Sequence, residues 1–226
     1  MMLPVRVINP NSSTHVTRAI GEATSALGSL GIPIACETLS EGPPGIESQA
    51  QADAIIVPML DMADTLQSQS SGFVIACFGD PGVHALRERT PLPTLGIQEA
   101  AIATAMTLGH RLGVISILPG SVPRHWRSYG AMGVTSRIAG DRALGLGVAG
   151  LGNDALPRMV ETAKALRDQD GADVLIMGCA GMAWARGPLE EATGLPVVEP
   201  CQAAVSMILG RIAIGQSHRI KGPDHD

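Results

Sequence analysis

Aromatic side chains are almost missing from this 226-residue chain, where Phe, Trp and Tyr together make up 2%. Basic charge is also short, with 16 Lys and Arg against 21 Asp and Glu and a formal net charge of −5. A nucleic-acid binder needs cations for phosphates and rings for stacked bases, so no nucleic acid is expected as a partner. Long apolar runs are missing too. No stretch approaches the roughly 18 uninterrupted apolar residues of a spanning helix, so no membrane partner is expected. The opening MMLPVRVINP has no charged segment ahead of a long apolar core, which makes the cytoplasm the expected location. No C-x-x-C pair and no Cys/His set at structural-zinc spacing occurs, so no metal is expected. The four cysteines, Cys36, Cys77, Cys179 and Cys201, do not make a disulfide framework in a chain of this size. They are expected as free thiols, and a free thiol either fills core or does chemistry.

What is present is a globular composition, 45% hydrophobic and 16% charged, with ample length for one large domain or two small lobes. Short apolar runs alternate with longer Ala-rich ones. VRVIN (5–9), AIIVP (54–58), GFVIACF (72–78) and PTLGI (93–97) read as strands, as do RLGVISI (111–117), GVAGL (147–151), DVLIMGC (173–179) and PVVEP (196–200). Segments 12–31 and 153–171 read as helices, capped by Ser12 and Asn153 and closed by Gly31 and Gly171. Continuous apolar strands separated by helices imply parallel sheets covered on both faces, an α/β fold.

The chain also resembles itself. VIACFGDPG aligns with IMGCAGMAW, which sets Cys77 against Cys179. LPTLGIQEAAIATAM (92–106) aligns with LPVVEPCQAAVSMIL (195–209), starting 15 residues after Cys77 and 16 after Cys179. VRVINPNSS (5–13) answers LGVISILPGS (112–121), each a strand running into a Pro-containing loop. Two similar α/β lobes would face each other about a pseudo-twofold axis. Ligands in such sheets sit at the carboxyl ends of strands, so Cys77 and Cys179 would line one cleft from opposite sides. Cys201 aligns with Gln98 and Cys36 has no counterpart, so both read as core.

Two opposed acid/base groups can invert a carbon centre, one removing a proton and the other delivering one to the far face. A free thiol has a pKa of about 8.5, so each needs help to ionise. Exposed N–H groups in the turns after Cys77 and Cys179 offer that help, and could also hold an enolate oxygen. Asp80 reads as the cap of a helix that Pro81 begins, and unless it points away its charge opposes a thiolate at Cys77. The loop NPNSS (9–13) could hold a carboxylate or an imide, or serve as a turn and helix cap.

INPNSS, IACFGDPG, LIMGCAGMA and LGVISI with the following SVPRHWRSYG resemble the hydantoin and allantoin racemase branch of the aspartate/glutamate racemase superfamily, over nearly the whole chain. The resemblance implies two Rossmann-like lobes in which the helix after each LP strand packs on the opposite lobe. Residues 1–97 with 202–226 would form one lobe and 98–201 the other. It implies a cofactor-independent racemase, with Cys77 and Cys179 as the catalytic pair. By that pattern substrate contacts would come from Asn9, Pro10, Asn11 and Ser12 and from backbone near Phe78, Gly79, Ala180 and Gly181, with Ile46 and Ser121, the latter at the mouth of the LPGSVP loop, as further candidates. The substrate would be a 5-substituted hydantoin, allantoin or a similar cyclic ureide or carboxylate, and the protein a homo-oligomer. One departure stands out: where family members often carry G-P-x-S-I-E, this chain has GPPGIES (42–48), with Gly45 in the serine position.

Other residues read more blandly. His15 reads as a solvated helical histidine, and His84 and Arg87 as a polar surface face. Glu199 could line the pocket or cap a helix, and Trp126 with Tyr129 reads as packing or a subunit contact. The tail KGPDHD (221–226) reads as frayed. Rival functions are an Asp/Glu-type amino-acid racemase, a thiol-dependent decarboxylase or cis–trans isomerase, and a two-lobed binder of small anions. A bridge between Cys77 and Cys179 would require Cα atoms within about 7 Å, too close to flank a substrate.

Overall fold

Two parallel four-stranded sheets carry the same strand order twice. In the computed structural model, which describes residues 2–218, the first sheet contains β1 (Val5–Asn9), β2 (Ile34–Thr38), β3 (Gly72–Ile75) and β4 (Thr94–Gly96). The second contains β5 (Leu112–Ser116), β6 (Ile138–Ala143), β7 (Val174–Met177) and β8 (Val197–Val198). Their orders are β2-β1-β3-β4 and β6-β5-β7-β8, all pairs parallel. The repeat seen in the sequence is therefore a repeat of topology. The tail 221–226 lies outside the described residues.

The helices are α1 (Thr14–Thr24), α2 (Gln49–Ala54), α3 (Ile56–Leu66), α4 (Val83–Arg89), α5 (Ile97–Leu108), α6 (Ser121–Met132), α7 (Leu156–Asp168), α8 (Arg186–Thr193) and α9 (Pro200–Ala213). Among the described residues, no helix is long and apolar enough to cross a membrane. α5 follows the first sheet but packs on β7, while α9 follows the second and packs on β3 and β4; the two helices also pack on each other.

That exchange explains the core. Val5, Val7 and Val74 from one sheet and Leu112, Val114, Val174 and Ile176 from the other meet α5 and α9 in one shared cluster. The alternate residues Ile8, Phe73 and Ile75 face a second cluster outside the first sheet. Ile115, Leu175 and Met177 face a third outside the second sheet. Central strands are therefore buried on both faces, which is why they read as unbroken apolar runs. Truncating a shared-core residue such as Ile176 to Ala would cost about 2–5 kcal/mol.

Several expectations need correction. Residues 54–58 are not a strand: Ile55, Met59, Leu60 and Ala63 are buried at helical spacing, and Pro58 sits in the first turn of α3, where no intrahelical N–H is needed. Residues 147–151 form a 3₁₀ turn at Val148–Gly150 rather than a strand. The edge strands β2 and β6 carry no continuous apolar run and were not expected, because they are half-exposed along almost all their length. The first helix is capped by Ser13, whose Oγ accepts from Val16 N, not by Ser12; it gives way to a 3₁₀ segment that ends at Gly31 with φ 93°. Similarly, Asn153 opens a 3₁₀ turn ahead of α7, and Gly171 takes φ 74° after it. Arg87, expected on a polar surface face, is half-buried between elements. It ties α4 to the next strand and helix by donating to Thr94 O and pairing with Glu99.

Candidate active site

Cys77 and Cys179 occupy equivalent places at the carboxyl ends of the two sheets. Each lies two residues beyond its central strand. The last ladder bond before each is the same: Ala76 N donates to Ile8 O at 2.8 Å, and Gly178 N to Ile115 O at 2.8 Å. Both cysteines then line a single cavity of about 30 Å³ between the lobes, which has room for a water or two.

The cavity wall includes Asn11, Ile46, Phe78, Ser121 and Ala180, all expected from the sequence, together with Arg124, His125 and Val148, which were not. The other expected residues lie elsewhere. Ser12 and Gly181 face an adjoining cavity of about 610 Å³ that shares Val16 and Val148 with the first. Asn9 is fully buried beneath the site, where its Nδ2 donates to Asn11 Oδ1 at 2.9 Å and Thr17 Oγ1 at 3.0 Å. Pro10 is buried against Gly42, and Gly79 is exposed in the turn after Cys77. The NPNSS loop thus spends much of its polarity on itself, and what it presents to the cavity is Asn11.

The 42–48 loop closes the site from the first lobe. Ser12 N donates to Pro43 O at 2.9 Å. Glu47 Oε1 accepts from Val148 N at 2.9 Å, and Arg124 Nη1 donates to Glu47 O at 2.9 Å. Residues of both lobes are tied together over the cavity by these bonds.

Both cysteines are free and partly accessible, as a group that meets a substrate must be. Burial of the sulfurs nevertheless pushes both thiols up. Cys179 rises to about 11, with the N–H of Gly181 pulling it back and the charges of Glu199 and Glu47 adding to the rise. Cys77 goes higher still: burial leads, the thiolate of Cys179 and the carboxylate of Asp80 add to it, and Arg124 opposes them. Each thiolate therefore discourages the other, and Cys179 is the first to ionise. Cys77 keeps its proton, its Sγ 3.9 Å from Phe78 O.

Asp80 does not cap the helix that follows it. It adopts φ 49°, and its carboxylate accepts from Gln98 N and Glu99 N, both at 2.8 Å, at the start of α5. Burial pushes that carboxyl up to about 7 against those two donors. Glu199 plays the same part in the other lobe, accepting from Cys201 N at 3.1 Å and Gln202 N at 2.6 Å at the start of α9. Each exchanged helix thus begins at a buried carboxylate beside one of the two cysteines. Cys201 is fully buried in the shared core and Cys36 half-buried at its edge. Trp126 packs edge-on against Tyr129, ring centroids 5.7 Å apart, and His15 stays exposed beside Arg18.

Arg124 and His125 escaped the sequence reading, although a signal existed. Ser121, Arg124 and His125 fall at i, i+3 and i+4 of α6, so one helical face carries all three into the cavity.

Comparison with known proteins agrees with this architecture. The family model Asp/Glu/hydantoin racemase matches residues 5–208. A hydantoin racemase of Paenarthrobacter aurescens is 33% identical, covering 93% of this chain and 92% of that protein. One from Rhizobium meliloti is 34% identical, covering 93% and 89%. Among solved structures, an allantoin racemase from Klebsiella pneumoniae superposes with a TM-score of 0.92 at 30% identity, covering 99% of this chain and 95% of that one. The match takes in all eight strands and both cysteine turns, and the chain belongs to the Asp/Glu/hydantoin racemase family.

Proposed function

We infer that the protein is a racemase that inverts C5 of 5-substituted hydantoins, allantoin included, with Cys77 and Cys179 as its two acid/base groups. The observation that carries this reading is the placement of two thiols at equivalent strand ends on one cavity. The names of its relatives supply the substrate class.

C5 of a hydantoin is acidified by the neighbouring carbonyl. One cysteine, as thiolate, takes the C5 proton, and the electron pair moves onto the carbonyl oxygen as an enolate. The opposite thiol then delivers its proton to the other face. The reverse reaction exchanges the roles. Phe78 N and Gly79 N, in the turn after Cys77, make no hydrogen bond among the described residues and are suited to the enolate oxygen. The reaction as written needs only protein acid/base groups. A cavity of about 30 Å³ is smaller than such a ring, so the 42–48 and 147–151 segments must part to admit it from the adjoining cavity. The two lobes divide between residues 97 and 98 and between 201 and 202, and exchange α5 and α9. A cytoplasmic homo-oligomer completes the reading, with sedimentation as its check.

The test is incubation of single enantiomers of several 5-substituted hydantoins and of allantoin in D₂O. Loss of optical rotation with deuterium at C5 is expected. Constant rotation across that panel, with racemisation of an amino acid instead, would overturn the substrate class; constant rotation across both would overturn the reaction.

A further inference from the structure

Behind the cavity wall lies a buried polar cluster that the two-cysteine reaction does not use. His125 is 3% exposed. Its Nδ1 lies 3.0 Å from Ser116 Oγ and 3.0 Å from Asp141 Oδ2. Ser116 donates its hydroxyl to Asp141 Oδ1, and Tyr129 donates to Asp141 Oδ2 at 2.9 Å. Tyr129 keeps its proton for this purpose, because burial and the adjacent carboxylate both hold its ionisation far above the usual range.

Counting protons in this cluster fixes the imidazole. Ser116 has a single hydroxyl hydrogen and Asp141 takes it, so toward His125 both Ser116 and Asp141 are acceptors. Nδ1 must therefore carry a proton, so in the neutral ring the lone pair lies on Nε2. Phe78 meets the ring edge-on at 5.0 Å and 73°, fixing its plane beside Cys77. Nε2 makes no hydrogen bond among the described residues, and the ring faces the cavity. One residue earlier on α6, Arg124 donates to Glu47 O and to Ser121 Oγ at 3.1 Å and has further N–H groups for the same cavity.

An acceptor at His125 beside a donor at Arg124 complements an N–H next to a C=O, the edge that a cyclic ureide presents. A carboxylate, which has acceptors only, would set an oxygen against the Nε2 lone pair. We propose that His125 determines the substrate class, its Nε2 accepting a ring N–H of a cyclic ureide while Arg124 donates to the adjacent carbonyl. Asp141 and Ser116 are positioning residues that fix the tautomer. The proposal rests on the racemase reading above.

The test compares a 5-substituted hydantoin with its N1-methyl and N3-methyl derivatives in wild type, His125→Leu and His125→Gln. Methylating the nitrogen that faces His125 should lower wild-type kcat/KM by about tenfold or more. His125→Leu should slow the parent hydantoin but bring that ratio close to one, since the intrinsic effect of methylation on C5 acidity is common to both enzymes. Gln, which returns an acceptor oxygen, should restore part of the preference. Equal losses on parent and methylated substrates would make His125 structural and overturn the proposal. If the Leu variant does not fold, ¹⁵N spectra of the wild type decide. Nε2 of His125 should be unprotonated and should shift when the parent hydantoin is added; a protonated or unmoved Nε2 would overturn the assignment. Wild type that leaves every hydantoin unchanged would instead sink the racemase reading, and the ¹⁵N titration would still report on His125 separately.

Discussion

Val148 stands where a side chain on Gly45 would have to go. A β-carbon built on Gly45 would lie 2.8 Å from both Cβ and Cγ2 of Val148, closer than such atoms are found. Val148 lines the cavity that holds both cysteines and reaches across from the second sheet's side into the space a serine at this position would take. Gly45→Ser should destabilise the protein by about 1–3 kcal/mol through overpacking. Val148→Ala in the same chain should recover most of that loss. Thermal melts of the two single variants and the double variant check this; additive effects would show that the two positions do not share space.

Substituting Ser for Cys77 or Cys179 should each lower racemisation by about 10²–10⁴-fold. Because the equilibrium constant of racemisation is one, kcat/KM must fall equally in both directions. Deuterium exchange without inversion should survive on the face of the remaining thiol. Polarimetry and proton NMR on each pure enantiomer separate the two. Full racemisation in either single variant would remove that cysteine from the mechanism.

Burial sets the pH dependence. With Cys179 pushed up to about 11, little thiolate exists at neutrality, so kcat/KM should climb steadily from pH 7 towards 10. Stability should move the other way. A thiol raised above its ordinary value of about 8.5 favours the fold fully below that value and loses this contribution as pH rises towards about 11. A pH–rate profile that is flat above pH 7 would contradict the assignment of Cys179 as the first thiolate.

Arg124 is the cation that lowers Cys77. Arg124→Met should therefore raise that thiol further, slowing alkylation of Cys77 in a Cys179→Ser background. Racemisation should drop by about 10–100-fold, as when a charged partner is lost in a desolvated site. Unchanged alkylation would leave Arg124 with a role in substrate binding alone.

Asp80 acts in the opposite sense. Its carboxyl is raised from 3.8 to about 7, so its contribution to stability is complete below the unfolded value and is lost as pH rises through the folded one. Relative to Asp80→Asn, the wild type should lose stability between pH 4 and 7, the window those two values set. Asp80→Asn should also speed alkylation of Cys77 at pH 8, since the charge removed raises that thiol. Denaturant titrations at several pH values and thiol kinetics check both effects.

The repeated lobe, the parallel central strands and the two thiols were legible from the residues alone. All of these rest on strands buried on both faces, whose apolar runs end abruptly at Cys77 and Cys179. The sequence could not reveal β2 and β6, because a half-exposed edge strand has no need of a continuous apolar run. Nor could it show whether AIIVP was helix or strand, since a short buried run satisfies either period. Tertiary structure alone decided that Asp80 caps α5 and that Val148 fills the space at Gly45. It also decided that Ser116 of β5 and His125 and Tyr129 of α6 converge on the carboxylate of Asp141 in β6. The physical reason is common to these cases. Burial along one strand leaves its mark on neighbouring residues, whereas a hydrogen bond or a close contact between distant elements forms only after both have been folded into place.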